Sequence, residues 1–297
     1  MSAEPPPPDD PAAVSGDAEA LLALAVEASR MAGGLLAERA RRGVERQVAS
    51  KSTPTDLVSE ADVASQRAIR ELLAQRRPDD GFVGEEEDGT SETGNSGLSW
   101  VVDPLDGTVN FLFGIPQWSV SVAVRDDAGM IAGAVYDANR DELFCATRDG
   151  GARVLGPRGA VELERRPGSD PSHDRRTGGD AGHGGEDLAS AMVATGLAYD
   201  SNVRRAQARV LERLVPRVRD IRRMGSAALD LAWTAAGRFD AYYERSVKQW
   251  DIAAGALVCE RAGLQVHELP VHENLPWGIL AAPPALCEPL LELVAAP

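Results

Sequence analysis

The segment WVVDPLDGTVNF, residues 100–111, runs from an apolar stretch into two aspartates, Asp103 and Asp106. Pro104 between them has no N–H to give a sheet ladder, so a strand entering from Trp100 is expected to stop there. A turn through Pro104 and Leu105 brings Asp106 back beside Asp103. Gly107 lets the backbone pass tightly, and Thr108 opens the next element. Two carboxylates so close repel each other unless a cation lies between them. Hard oxygen donors at this spacing suit Mg²⁺, and the Leu105 carbonyl adds another oxygen in the same turn. An Asp-Pro turn with Asp106 capping a helix accounts for the same residues, and this stretch alone leaves both readings open.

Three further acids belong to the question. Glu85 opens the run GEEED after the apolar Phe82-Val83-Gly84, so it exits a short strand as Asp103 does. Asp251, in QWDIAAGALVCERAG, stands before an Ala-rich helix that it either caps or leaves free to serve a site. Asp62, in DLVSEAD, is either a helix cap or surface charge. Periodicity does not separate these alternatives.

The elements that must position them follow from hydrophobic spacing. A helix from Asp17 carries Leu21, Leu22, Ala25, Ala28, Ala32, Leu35 and Leu36 on one face. A second, Glu60 to Arg76, carries Val63, Ala64, Ala68, Ile69, Leu72 and Leu73. SVSVAVRD and MIAGAVYDA alternate as strands around an Asp127–Gly129 turn, and ELFCATRDGGARVLG extends the meander. Beyond residue 187, helices and strands alternate, and Gly263 stops the helix of QWDIAAGALVCERAG. Residues 1–16, rich in Pro and Asp, are expected as a disordered tail. A single domain then spans 17–297, with an N-terminal α+β part to about 165 and a C-terminal α/β part from 188. The polar stretch 166–187 between them, which includes His173 and His183, is expected as an exposed insertion.

Bulk properties narrow the function classes. The chain has 297 residues, 46 Asp and Glu against 31 Lys and Arg, and a net charge of −15, which argues against nucleic acid or an anionic membrane surface as partner. Cys145, Cys259 and Cys287 are far apart and without CxxC spacing, which suits a reducing compartment, and the cytoplasm is the expected location. There is no signal peptide pattern and no run of uncharged apolar residues that predicts a membrane span.

Taken together, GEE, WVVDPLDGTVNF and WDIAAG, in that order, resemble the signatures of the inositol monophosphatase family of Mg²⁺-dependent, lithium-sensitive phosphatases. KSTPTDLVSEAD resembles its upstream segment, with Ser59 where threonine is usual, and RRMGSAALDLAWTAAGRFDAYYE resembles its substrate pocket. The likeness covers roughly residues 18–290. It implies an α+β fold, the layered αβαβα sandwich shared with fructose-1,6-bisphosphatase. It implies that Glu85, Asp103, Asp106, Asp251 and the Leu105 carbonyl hold two or three Mg²⁺ ions, Asp103 bridging two. Asp62 and Thr108 would orient the attacking water with Glu85, while Gly107 and Thr108 meet the phosphate. Gly225, Ser226, Ala227 and Glu244 would border the substrate hydroxyls.

Phosphate ester hydrolysis by a cation-activated water is the activity so implied. Inositol monophosphate is the first substrate, histidinol phosphate the second, and nucleotide or sugar bisphosphates follow. The rival from another class is a non-catalytic, partner-binding protein of the same fold. A homodimer is implied by the resemblance alone. Arg245 and Lys248, in YYERSVKQWD, fall near the expected substrate mouth: either they are surface cations beside a helix start, or one of them favours a substrate with a second anionic group.

Overall fold

The computed structural model describes residues 11–42, 48–50, 57–86, 91–92, 94–164 and 187–296. Helix α1 (Pro11–Arg42) begins inside the expected tail. Residues 11–16 are therefore helical, since proline is tolerated in a first turn and Ala-Ala-Val follows it. Residues 1–10 and almost all of the expected insertion, with both its histidines, lie outside the described residues; only Asp187 is seen, capping a short turn through the Ala189 N–H.

Strands β1 (Val48–Ser50) and β2 (Leu57–Ser59) pair antiparallel and lead into α2 (Glu60–Arg76). Then come β3 (Gly81–Gly84), β4 (Ser91–Glu92), β5 (Ser99–Asp106) and the short α3 (Thr108–Leu112). The meander follows as β6 (Ser119–Asp126), β7 (Gly129–Asp137), β8 (Glu142–Thr147), β9 (Ala152–Gly156) and β10 (Gly159–Leu163). These strands form one sheet in the order β10-β9-β8-β7-β6-β5-β3-β4. All its pairs are antiparallel except β3 with β5, where Gly84 lies opposite Val102. That single parallel pair sends both strands out at the same edge, delivering Glu85 and Asp103 side by side.

The second sheet is built from β11 (Met192–Thr195), β12 (Asp220–Arg222), β13 (Ala241–Arg245), β14 (Gln265–Leu269) and β15 (Gly278–Ala282), ordered β12-β11-β13-β15-β14. Its helices are α4 (Ser201–Leu214), α5 (Ala227–Ala235), α6 (Gln249–Arg261) and α7 (Pro284–Val294). Asp200 caps α4 by accepting from the Asn202 and Val203 N–H groups.

Three apolar clusters divide the layers. α1 and α2 pack on one face of the large sheet around Leu21, Leu36, Ile69, Val122 and Leu143. α5 and α6 fill the space between the two sheets with Leu229, Leu231, Leu257 and Val258. α4 and α7 cover the far face of the second sheet through Val210, Leu214, Leu286 and Leu290. Helix, sheet, helix, sheet, helix: the expected αβαβα sandwich is the observed fold. By length and composition alone, Ala18–Arg42 would suffice to cross a membrane, which the sequence reading does not anticipate. Its leucines and alanines instead enter the core against the sheet.

Two local expectations change. β5 does not stop at Pro104 but continues to Asp106, with its register against β6 shifted between Asp103 and Asp106. The missing proline N–H is accommodated by that bulge, which re-aims both carboxylates. The inward face of α2 also differs: Asp62, Ser65, Gln66, Ile69 and Leu73 are buried, whereas Val63 is exposed.

Candidate active site

The carboxylates converge where the sheet edge meets the helices between the sheets. Asp103 is buried, and its Oδ1 accepts the Leu105 N–H at 3.0 Å. Burial, then the charges of Glu85, Asp106 and Asp251, push its carboxyl well above the ordinary range. Asp106 is gripped from the opposite layer. The Ser226 hydroxyl donates to its Oδ2 at 2.6 Å, the Ala228 N–H at 2.8 Å, and the Ala227 N–H donates to Oδ1 at 3.1 Å. Even so, burial raises Asp106 to about 6, with Glu85 adding to the rise.

Asp251 does both things the sequence left open. It sits in the first turn of α6 and accepts the Lys248 N–H at 2.7 Å, capping the helix. It also faces the acidic group: burial and then Glu85 raise it well above its usual value. Asp62 is fully buried, and the Thr108 hydroxyl lies 2.7 Å from its Oδ1 and 3.1 Å from the Leu105 carbonyl. A threonine hydroxyl has one proton, so its lone pairs stay available to order a further polar molecule while it donates to Asp62.

Gly107 makes this turn possible. Its φ is +97°, in the left-handed region, and a Cβ there would come within 3.0 Å of the Gln117 carbonyl. Across the cleft, the Asn110 side-chain amide donates to the Gln117 carbonyl at 2.7 Å and the Met224 carbonyl at 2.8 Å, tying the turn to the segment before α5.

Glu244, on β13, receives the Tyr242 hydroxyl at 3.0 Å on Oε2. Burial lifts it to about 7, against the lowering effects of Tyr242 and Arg223. Ser226 and Ala227 reach the acidic group through Asp106, to which the bonds the structure gives them go. Arg245 departs from both of its expected places, surface and substrate mouth. It is almost completely buried and donates to the carbonyls of Leu269, Pro270, Pro276, Val294 and Ala295, so it cannot meet a substrate. Strand alternation explains this, since neighbours on β13 point to opposite faces and Glu244 takes the one toward the site. Lys248 is exposed.

Sequence reasoning missed the residues that carry the acidic turns. The Ser65 hydroxyl donates to the Pro104 carbonyl at 2.7 Å. The Gln66 amide takes both backbone groups of Glu86, at 3.0 Å and 2.9 Å, fixing the chain just after Glu85. Their signal was present: Asp62, Ser65, Gln66, Ile69 and Leu73 share one helical stripe.

The donor set fits a hard divalent cation. Several buried carboxylates repel each other, every resolved shift among them is upward, and a positive charge would relieve both burdens. Among the described residues, no group of three His, Cys, Asp or Glu side chains is already drawn together as a ligand set.

The layered fold is shared with solved structures of phosphatases and their relatives. The extragenic suppressor protein SuhB of Bartonella henselae superposes with a TM-score of 0.77 at 31% identity, over 92% of this chain and 98% of that one. An inositol monophosphatase of Thermotoga maritima superposes with a TM-score of 0.72 at 25% identity, over 91% and 94%. The sequence pattern of the inositol monophosphatase family matches residues 17–290, and the chain belongs to that family. Among its relatives, the inositol-1-monophosphatase SuhB of Mycobacterium tuberculosis (strain ATCC 25618 / H37Rv) is 39% identical over 294 residues, 96% of this chain and 94% of its own.

Proposed function

We propose that this protein hydrolyses the phosphate monoester of a small polyol, inositol monophosphate first and histidinol phosphate second, with Mg²⁺ as cofactor. The observation that carries the reading is the Thr108–Asp62 hydrogen bond of 2.7 Å set beside the buried carboxylates. Glu85, Asp103, Asp106, Asp251 and the Leu105 carbonyl would hold the cations. When bound, these supply positive charge that acidifies water and offsets the charge of a leaving alkoxide.

The chain's own residues do the rest. Asp62 holds the Thr108 hydroxyl so that its oxygen orients the attacking water, and Glu85 accepts the proton that water gives up. Gly107 and Thr108 offer backbone N–H groups to the phosphate oxygens. Gly225, Ser226 and Ala227 border the alcohol portion, whose hydroxyls Glu244 accepts. A cytoplasmic homodimer is part of this proposal.

Phosphate release from a panel of esters with Mg²⁺ tests it. Asp106→Asn is expected to abolish release, because the amide removes a charge from the site and sets an NH₂ against Ser226 or the α5 N–H groups. Full activity in that variant overturns the metal assignment, and preference for histidinol phosphate overturns the first substrate.

A second reading has one observation in its favour. A relative 38% identical over 277 residues, 92% of this chain and 95% of its own, is the Nus factor SuhB of Pasteurella multocida. A protein that only binds partners would release phosphate from none of the esters.

A further inference from the structure

Glu244 owes its place to a residue with no side chain. Gly196 directly follows β11, whose Thr195 pairs with Tyr243 on β13, so its α-carbon lies beside Glu244 of the neighbouring strand. A Cβ at Gly196 would overlap the Glu244 carboxylate, meeting Oε1, Cδ and Oε2 and no other group so closely. The φ of Gly196 is not in the left-handed region, so a positive φ is not what calls for glycine there. What the missing side chain supplies at this point is room for the carboxylate.

The other side is closed as well. Tyr242 is buried, and its hydroxyl occupies Oε2 at 3.0 Å. Asp230, on α5, is buried with neither carboxylate oxygen hydrogen-bonded among the described residues, and burial, then its like-charged neighbour Glu244, push its carboxyl well above the ordinary range. Arg223 is the cation that bears on both Glu244 and Asp230, so Glu244 is held between the space at Gly196 and the Tyr242 hydroxyl with Arg223 offsetting its charge.

We propose that Gly196 is a specificity-determining residue: its bare α-carbon seats the Glu244 carboxylate, and Tyr242 pins Oε2, leaving Oε1 for a hydroxyl on the alcohol portion of the substrate. This rests on the phosphatase reading. It adds that preference for a hydroxyl-bearing ester is set by Gly196 and Tyr242, which touch the carboxylate rather than the substrate.

The test compares kcat/KM for inositol monophosphate with that for 4-nitrophenyl phosphate, which has no hydroxyl beside the ester. Gly196→Ala is expected to lower the ratio of the two by about tenfold, the scale of one hydrogen bond to a charged group. Tyr242→Phe should lower it by about threefold, with the same sign. In a Glu244→Ala background, where the space is vacated, Gly196→Ala should change the ratio by less than about twofold.

A ratio unchanged in Gly196→Ala, or an equal further loss in the Glu244→Ala background, overturns the inference while leaving the phosphatase standing. Release of phosphate from neither ester by the unaltered protein overturns both. Should Gly196→Ala fail to fold, Tyr242→Phe decides alone: an unchanged ratio refutes the seating of Glu244.

Discussion

Replacing Arg245 by Met separates its structural place from the substrate role suggested by its position in the sequence. One guanidinium nitrogen shares its two protons among the carbonyls of Leu269, Pro270 and Pro276 at 3.2, 2.7 and 3.0 Å. The other donates to Val294 and Ala295 at 3.1 and 2.6 Å, capping the last carbonyls of α7. The Leu269 and Val294 bonds are buried, and losing each costs about 1–2 kcal/mol. The other three are part-buried, water can replace the donor, and about 0.5 kcal/mol each is reasonable. Methionine fills much of the volume and needs no desolvation of a charge, which offsets part of the sum. A net loss of about 3–4 kcal/mol remains, or roughly 6–8 °C in Tm at about 2 °C per kcal/mol for a chain of this size. Calorimetry in Mg²⁺-containing buffer measures the shift, and a phosphate-release assay well below the new Tm measures activity. Folded Arg245→Met should keep the KM of the unaltered protein. A Tm loss under about 2 °C refutes the energetic argument. A raised KM with intact Tm returns Arg245 to the substrate mouth.

Three other outcomes follow from the same geometry. Thr108→Ala should lower kcat by about 10²–10³-fold with a smaller change in KM, read by steady-state kinetics, because it removes the hydroxyl that Asp62 holds. A decline confined to KM would show that Thr108 only binds. Gln66→Met should raise the Mg²⁺ concentration for half-maximal rate and cost about 2 kcal/mol in denaturant unfolding, since both backbone groups of Glu86 lose their partner. An unchanged Mg²⁺ response would show that Glu85 needs no such anchor.

For the protein treated with EDTA, Asp106 at about 6 and Glu244 at about 7 both lie above the unfolded carboxylate range. The native state therefore binds more protons than the unfolded state between about pH 4 and about pH 7. Stability is full below that window and lost as pH rises through it. The urea midpoint should be lower near pH 8 than near pH 5, with Mg²⁺ restoring more of it at the higher pH. A midpoint that rises with pH would contradict the sign.

What the sequence disclosed is what short spacing encodes. DPLDGT and WDIAAG each hold their chemistry within one turn, and α1 displays its buried stripe from Leu21 to Leu36. The strands of the meander were legible because alternation and turns are local. The order of the large sheet was not, because β3 lies between β5 and β4, and no local pattern states a parallel pairing. α2 was read by its apolar residues, yet its inward face is half polar because it supports a polar site. The same applies to Asp106, whose donors sit at Ser226, Ala227 and Ala228 on another layer. Arg245 misled because proximity to Asp251 in sequence says nothing of which face of β13 a side chain takes.

The grip of Ser226 on Asp106 spans 120 positions of chain. At about 5–20 residues per second of synthesis, those donors leave the ribosome roughly 6–24 s after the carboxylate they hold. Throughout that interval the emerging sheet must carry Asp106 either protonated or wetted. A chain that stops short of Ser226 lacks every donor that this seam gives Asp106. The site is complete later still, once β13 with Glu244 and α6 with Asp251 have followed α5 into place.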